Sequence, residues 1–173
     1  PHGHLVTWLG VYAARTPPVR MSDNGTVRMD PHNEPQPDAA LRLPAEFGGS
    51  TRTDDDGYLV GAPELIVEVS FSSASYDLGP KKQAYLRNGV REYVVFRVDD
   101  EAVDWFRLHD GAYHRLVPSA GGVLESVVFP GLWLDTAALV AGRLDQLLDV
   151  LDQGLRSAEH AAFVAHLGTP ASR

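Results

Sequence analysis

The sequence contains no cysteine. That excludes disulfide scaffolds, thiolate metal sites and cysteine nucleophiles, and it suits a reducing compartment, so the expected location is the cytoplasm. No stretch approaches the ~20 apolar residues needed to span a bilayer, and no signal peptide is visible, so no membrane partner is expected. There is no Gly-rich phosphate loop of P-loop or dinucleotide-binding type, and no nucleophile elbow around a serine. Internal repeats and low-complexity segments are absent too. Basic charge is scarce: 15 Lys and Arg stand against 23 Asp and Glu, for a net charge of -8. Phosphate contacts need Lys and Arg, so this balance counts against avid nucleic-acid binding. A nuclease can still be acidic if its basic residues cluster or its carboxylates hold a divalent metal.

What is present fits one soluble domain. At 173 residues the chain is close to the usual domain size of ~150, so residues 1–173 are expected to form a single domain. Its organising stretch is PELIVEVSFSSASYDLGPKKQAYLRN, residues 63–88. Leu65 to Ser70 reads as a strand of period two. Leu65, Val67 and Val69 face one way; Ile66, Glu68 and Ser70 face the other. A Glu among Ile and Val loses solvation, which is tolerated only with a partner, a proton or a metal. A small-residue turn, SFSSAS, then leads to a helical stretch with Lys81 and Lys82 near its start. Strand carboxylate, turn and helix lysine can share one cleft.

Elsewhere, Leu5, Trp8, Leu9 and Tyr12 recur at helical spacing, predicting a helix over residues 2–14 that Thr16-Pro17-Pro18 ends. Residues 19–21 and 26–29 flank Ser22-Asp23-Asn24-Gly25, a turn signal for a hairpin, a bulged pairing or a longer-range one. Pro31 to Pro37 is a connection, and a short strand runs from Asp38 to Leu43. Residues 44–62 read as a polar loop, long enough for a functional flap. Strands are predicted at 92–98, 102–108, 112–117 and 123–129, the middle two as a hairpin through Asp110-Gly111. Helices are predicted at 135–154 and 157–167, with Leu139, Leu144, Leu147, Leu148 and Leu151 inside. Residues 168–173 are expected to be a frayed tail. The order indicates an α/β domain with a mixed sheet.

The candidate chemistry lies in Pro37-Asp38, which opens a strand, in mid-strand Glu68, and in Lys81 on the following helix. Two carboxylates on adjacent strands make a hard oxygen site suited to Mg²⁺. Such a metal activates water and stabilises phosphoryl charge, while a nearby lysine positions that water. Each piece also has a plainer reading: a turn for Pro-Asp, a structural salt bridge for Glu68, a solvated helix residue for Lys81. Asp54-Asp55-Asp56-Gly57 lacks the distal Glu of a calcium loop and reads as solvated. His2 and His4, two apart, fall on different helix faces, which disfavours a shared metal. His2 and Ser70 are accessory candidates, with Lys82.

Taken together, PHGHLVTWLGVY, EPQPDAALRL, APELIVEVSFSSASYDLGPKKQAYLRNGVREYVVF and FPGLWLD give a chain that resembles the Uma-type family of restriction-endonuclease-like proteins. This is a bacterial branch of the PD-(D/E)XK nuclease superfamily, long catalogued as a domain of unknown function. The resemblance covers nearly all 173 residues. It implies an α-β-β-β-α-β restriction-endonuclease-like core with a mixed sheet, flanked by helices and extended by C-terminal helices. By position, Asp38 matches the PD aspartate and Glu68 the following acid. Both would be metal ligands, with the Val69 carbonyl as a third. The superfamily lysine two residues after the acid is replaced by Ser70. Lys81, four residues before Tyr85, matches the family's helix lysine before an aromatic, and His2 matches a family histidine.

The expectation is an Mg²⁺- or Mn²⁺-dependent endonuclease that hydrolyses DNA phosphodiester bonds, with Asp38, Glu68 and Lys81 catalytic and a homodimer as the form that cuts both strands. The alternative is a catalytically inactive module that keeps the nuclease fold for nucleic-acid or protein interaction.

Overall fold

In a computed structural model describing residues 1–30 and 34–168, the period-two stretches become strands around a central six-stranded sheet. The chain opens with α1 (His2–Arg15), whose apolar stripe buries Leu5, Trp8, Leu9 and Tyr12, as its spacing predicts. The strands are β1 (Arg20–Asp23), β2 (Val27–Arg28), β3 (Ala39–Arg42), β4 (Arg52–Thr53), β5 (Leu59–Val60) and β6 (Leu65–Ser70). A crossover follows: α2 (Ala74–Tyr76), a π-helical turn at Asp77–Lys81, and α3 (Lys82–Arg87). Then come β7 (Glu92–Arg97), β8 (Ala102–His109), β9 (Ala112–Arg115), β10 (Val123–Glu125) and β11 (Trp133–Asp135). The chain closes with α4 (Thr136–Val140), α5 (Leu144–Leu155) and α6 (Ala158–Leu167).

The central sheet has the order β1-β3-β6-β7-β8-β9. β6 and β7 run parallel and the remaining neighbours antiparallel, so the sheet is mixed. A parallel pair cannot be joined by a tight turn, and the helical crossover between β6 and β7 meets that need.

The sheet separates two apolar layers. Leu65 and Val67 face the layer holding Trp8, Leu9, Val94, Trp105 and Leu147; Ile66 faces the one holding Ala40, Tyr85, Tyr93 and Phe106. Polar tips are satisfied inside: Trp8 Nε1 donates to the Trp133 carbonyl at 2.9 Å, and the Tyr12 hydroxyl to that of Pro130 at 2.9 Å. These bonds tie α1 to the segment before α4. Truncating a large buried ring such as Trp8 to alanine costs roughly 3–5 kcal/mol.

Four expectations change, and one open alternative is settled. The chain bends at Asn24, φ 49°, and of the pairings left open around it the longer-range one is found. β1 pairs with β3 in the large sheet, while β2 pairs with β5 in a small β2-β5-β4 sheet. Residues 44–62 are a built subdomain rather than an open flap. Glu64 accepts from the Leu43 and Ser50 N–H groups at 2.7 and 3.0 Å, and Arg28 pairs with Asp54 at 2.9 Å. The helical run after β6 starts at Ala74, before Lys81, and is broken at Gly79, where φ and ψ leave the helical region. The helix expected over 135–154 is two, α4 and α5, and the strand expected over 123–129 ends at Glu125 and pairs with β11. The expected connection at 31–37 and tail at 168–173 fall partly outside the described residues.

Candidate functional site

Register brings the two sequence-selected acids together. Ala39 of β3 pairs with Val67 of β6, and Ala40 with Ile66. One step beyond the last rung, Asp38 comes opposite Glu68, and alternation puts both on the face that carries Ala40 and Ile66. Asp38 Oδ2 accepts the Val69 N–H at 2.7 Å, which fastens the start of β3 to the end of β6. The N–H and C=O of a strand residue point to the same side, so the Val69 carbonyl also faces β3. The Glu64 and Ser70 carbonyls instead accept from the β7 side, through the Glu92 and Val98 N–H groups. Asp38 Oδ1, Glu68 and the Val69 carbonyl thus form one oxygen-rich corner.

Glu68 is buried, and it is clasped from the crossover helix. Lys81 Nζ lies 2.8 Å from Glu68 Oε1, and the Tyr85 hydroxyl donates to the same oxygen at 2.7 Å. Lys81 and Tyr85 are four residues apart, one turn of helix, which is why both reach one atom. Burial pushes the Glu68 carboxyl above its ordinary range; the charge and hydrogen bond of Lys81 and the bond from Tyr85 pull it back, and Asp38 adds to the rise. Burial and the Glu68 charge push the Tyr85 hydroxyl up, so it stays a donor.

A third acid stands behind the lysine. Asp77 is buried, its Oδ1 is 3.6 Å from Lys81 Nζ, and its Oδ2 accepts from the Ser73 hydroxyl at 2.7 Å. Ser70 Oγ lies 3.1 Å from Ser73 Oγ, so Ser70 reaches the lysine only through Ser73 and Asp77. His2 is at the rim: Nε2 is 2.9 Å from Asp23 and Nδ1 is 3.9 Å from Asp38 Oδ1. Lys82 is not in this group. Its ammonium lies 3.4 Å above the Phe106 ring, where burial first, then Arg115, lowers its pKa against the pull of Asp104.

Other buried acids serve the fold. Glu92 accepts from the Ser126 hydroxyl at 2.6 Å and from the Val127 and Val128 N–H groups at 2.8 and 3.1 Å. Asp104 pairs with Arg97 and Arg115, both at 2.7 Å. Glu68 and Asp77 differ in sharing the amine of Lys81.

A cleft of about 520 Å³ opens beside the clasp, walled by residues 34–36 on one side and by Tyr76, Lys81, Tyr85 and Arg87 on the other. Its lining includes nothing from residues 44–62, so that segment does not cover it. The sequence alone does not single out Asp77, and it marks Tyr85 only as the aromatic that follows Lys81. The helical spacing 77, 81, 85 was the available signal.

Divalent metal is testable against this donor set. Among the described residues no group of three or more His, Asp or Glu stands as a metal cluster. The corner offers two carboxylates and a backbone carbonyl, and Mg²⁺ is commonly held by one or two carboxylates with water completing the shell. The residues fit such an ion, with Lys81 as a cation already on one of the acids.

Comparison with known proteins gives a fold and a family. A solved structure titled as a "putative nuclease belonging to DUF820", from Anabaena variabilis ATCC 29413, superposes with a TM-score of 0.54 at 11% identity, covering 87% of this chain and 79% of that one. At that identity the likeness speaks for the fold. No curated protein matches. Over residues 1–137 the chain matches the family described as "Uma2: Putative restriction endonuclease". The match takes in α1, the strands of the central sheet and the whole acid–lysine corner, and the chain belongs to the Uma2 family.

Proposed function

We propose that the chain is a divalent-metal-dependent endonuclease that hydrolyses DNA phosphodiester bonds at the corner of Asp38, Glu68 and Lys81. The observation that supports this best is the placement of Lys81 Nζ, 2.8 Å from Glu68 Oε1. The superfamily pattern wants a cation beside the second acid; the strand offers Ser70, and the next helix supplies the ammonium instead.

Asp38, Glu68 and the Val69 carbonyl would hold Mg²⁺ or Mn²⁺. When bound, the ion would lower the pKa of a coordinated water and offset charge on the phosphoryl oxygens. The remaining work falls to the chain. Lys81 orients the attacking water and neutralises charge as the phosphorus–oxygen bond to the leaving sugar breaks. Tyr85 holds Glu68 in one rotamer, and Asp77 holds Lys81 from behind. Asp38 keeps β3 and β6 in register at the corner through the Val69 N–H. His2, beside Asp23 and Asp38, is an accessory group at the rim. Residues 1–173 would act as one domain in the cytoplasm, paired as a homodimer where both strands of a duplex are cut.

One observation favours a second reading. The net charge of -8 opposes polyanion binding, as expected for a module that keeps the fold without the reaction. Calorimetric titration with Mn²⁺ separates the two. Binding that is lost in both Asp38→Asn and Glu68→Gln supports the enzyme. No binding by the folded wild-type chain would sink the metal-dependent reading.

A further inference from the structure

At the other end of β3, the cross-strand register sets two like charges against each other: Arg20 of β1 pairs directly with Arg42 of β3. Like charges opposite one another destabilise a sheet, and among the described residues no ion pair relieves this one, although Glu64 and Glu46 act on Arg42 from farther off. The arginines that form ion pairs among the described residues are Arg28, Arg97, Arg115 and Arg156; Arg20 and Arg42 form none. Arg52, on β4, also forms none, and it lines with Arg20, Arg42, Glu46 and Thr53 a pocket of about 340 Å³. Burial lowers the Arg42 pKa, and the charge of Arg20 lowers it further, against the pull of Glu64 and Glu46. In a chain with 15 basic and 23 acidic residues, three unpaired arginines around one hollow are an unusual concentration of positive charge.

We propose that Arg20, Arg42 and Arg52 form a phosphate-binding pocket, separate from the Asp38–Glu68 corner. The guanidinium fork matches phosphate oxygens bidentately, and an anion between Arg20 and Arg42 turns their repulsion into shared attraction. The hydroxyl of exposed Thr53 adds a neutral donor of the same kind. Asp38 and Arg42 are on one face of β3, four residues apart, which places the pocket about 13 Å along the strand from the acid corner. The phosphate is either free or part of a nucleic-acid strand. The pocket's chemistry is the same for both, and it stands independently of the hydrolytic reading.

The test uses the full chain without divalent metal. Binding of a fluorescein-labelled single-stranded oligonucleotide is followed by anisotropy across a salt series, and inorganic phosphate is tested by thermal shift. The variants are Arg42→Gln, Arg20→Gln and Arg52→Gln, with Glu68→Gln as the comparison at the acid corner. For a strand ligand, each arginine change should weaken binding roughly tenfold and flatten the log–log salt slope by about 0.7. For a free anion, the thermal shift from inorganic phosphate should fall in the same variants while oligonucleotide binding is absent. Unliganded stability separates a ligand site from a structural one: relief of repulsion should leave the melting temperature of Arg42→Gln unchanged or higher. A lower melting temperature with ligand binding intact would overturn the proposal. So would the absence of both kinds of binding in the wild type. Loss of binding in the arginine variants alongside a Glu68→Gln chain that binds as the wild type does would support the pocket and set it apart from the acid corner.

Discussion

Lys81 and Glu68 meet at 2.8 Å across the turn that joins β6 to the crossover helix. The contact joins a buried carboxylate that desolvation penalises to a cation that only a helix starting after Ser73 can deliver. Their separation in sequence is set by the Ser-rich turn and by the break at Gly79.

Removing the lysine should therefore harm more than charge. In Lys81→Ala the Glu68 carboxylate loses its largest stabilising partner, and its pKa should rise further. Hydrolysis should fall by at least tenfold to a hundredfold, the usual scale for a positioned electrostatic group. Lys81→Arg should recover part of it. A steady-state assay beside a circular dichroism spectrum checks this.

Tyr85→Phe probes the clasp without changing bulk. The bond it removes, 2.7 Å to Glu68 Oε1, helps hold the Glu68 pKa down. The acid limb of the pH–rate profile should move to higher pH in the variant, with kcat affected more than KM. Stability should fall by about 1.5–3 kcal/mol at pH values where Glu68 is ionised, as for hydrogen bonds to charged groups. A pH profile and chemical denaturation report the two effects.

Folding should respond to pH through Glu68 in a direction that can be worked out. Its folded-state pKa is raised, so the folded chain binds the proton more tightly than the unfolded one. That contribution is fully present below the unfolded glutamate value and is lost as pH rises through the folded value. Glu68→Gln should remove this dependence and match or exceed wild-type stability at neutral pH while losing activity. Thermal melts across pH, with the two proteins compared, give the answer.

Gly154 offers a control far from the corner. A methyl group there would lie 2.3 Å from the Gly131 carbonyl oxygen and 2.8 Å from the Trp133 ring. Gly154→Ala should cost roughly 1–3 kcal/mol by overpacking α5 against β11, with metal binding by the remaining folded chain unchanged. Denaturation and Mn²⁺ titration measure both halves.

Much of this arrangement was legible because it is local. The alternation in Leu65 to Ser70 gave the strand, its two faces and the anomalous Glu68, and the 5, 8, 9, 12 stripe gave α1. What escaped was set by partners distant in sequence. β1 pairs with β3 because Met21 and Leu41 share the α1 side of the sheet, a choice that the nearby Asn24-Gly25 turn conceals. β11 is three residues long and exists through β10, so no period marks it. Tyr85 reads as core from sequence because it is core, at 0% exposure; only its hydroxyl reaches the acid. Lys81 and Lys82 are indistinguishable by composition, yet the π-helical turn sends one to Glu68 and the other over Phe106.

The most direct test of the account is cleavage of supercoiled plasmid and of single-stranded DNA with Mg²⁺ or Mn²⁺. Wild type should be run beside Asp38→Asn, Glu68→Gln and Lys81→Ala, each shown to be folded. The expected result is metal-dependent cutting by the wild type that chelation stops and that all three variants lose. Cutting that persists unchanged in the folded variants would contradict it.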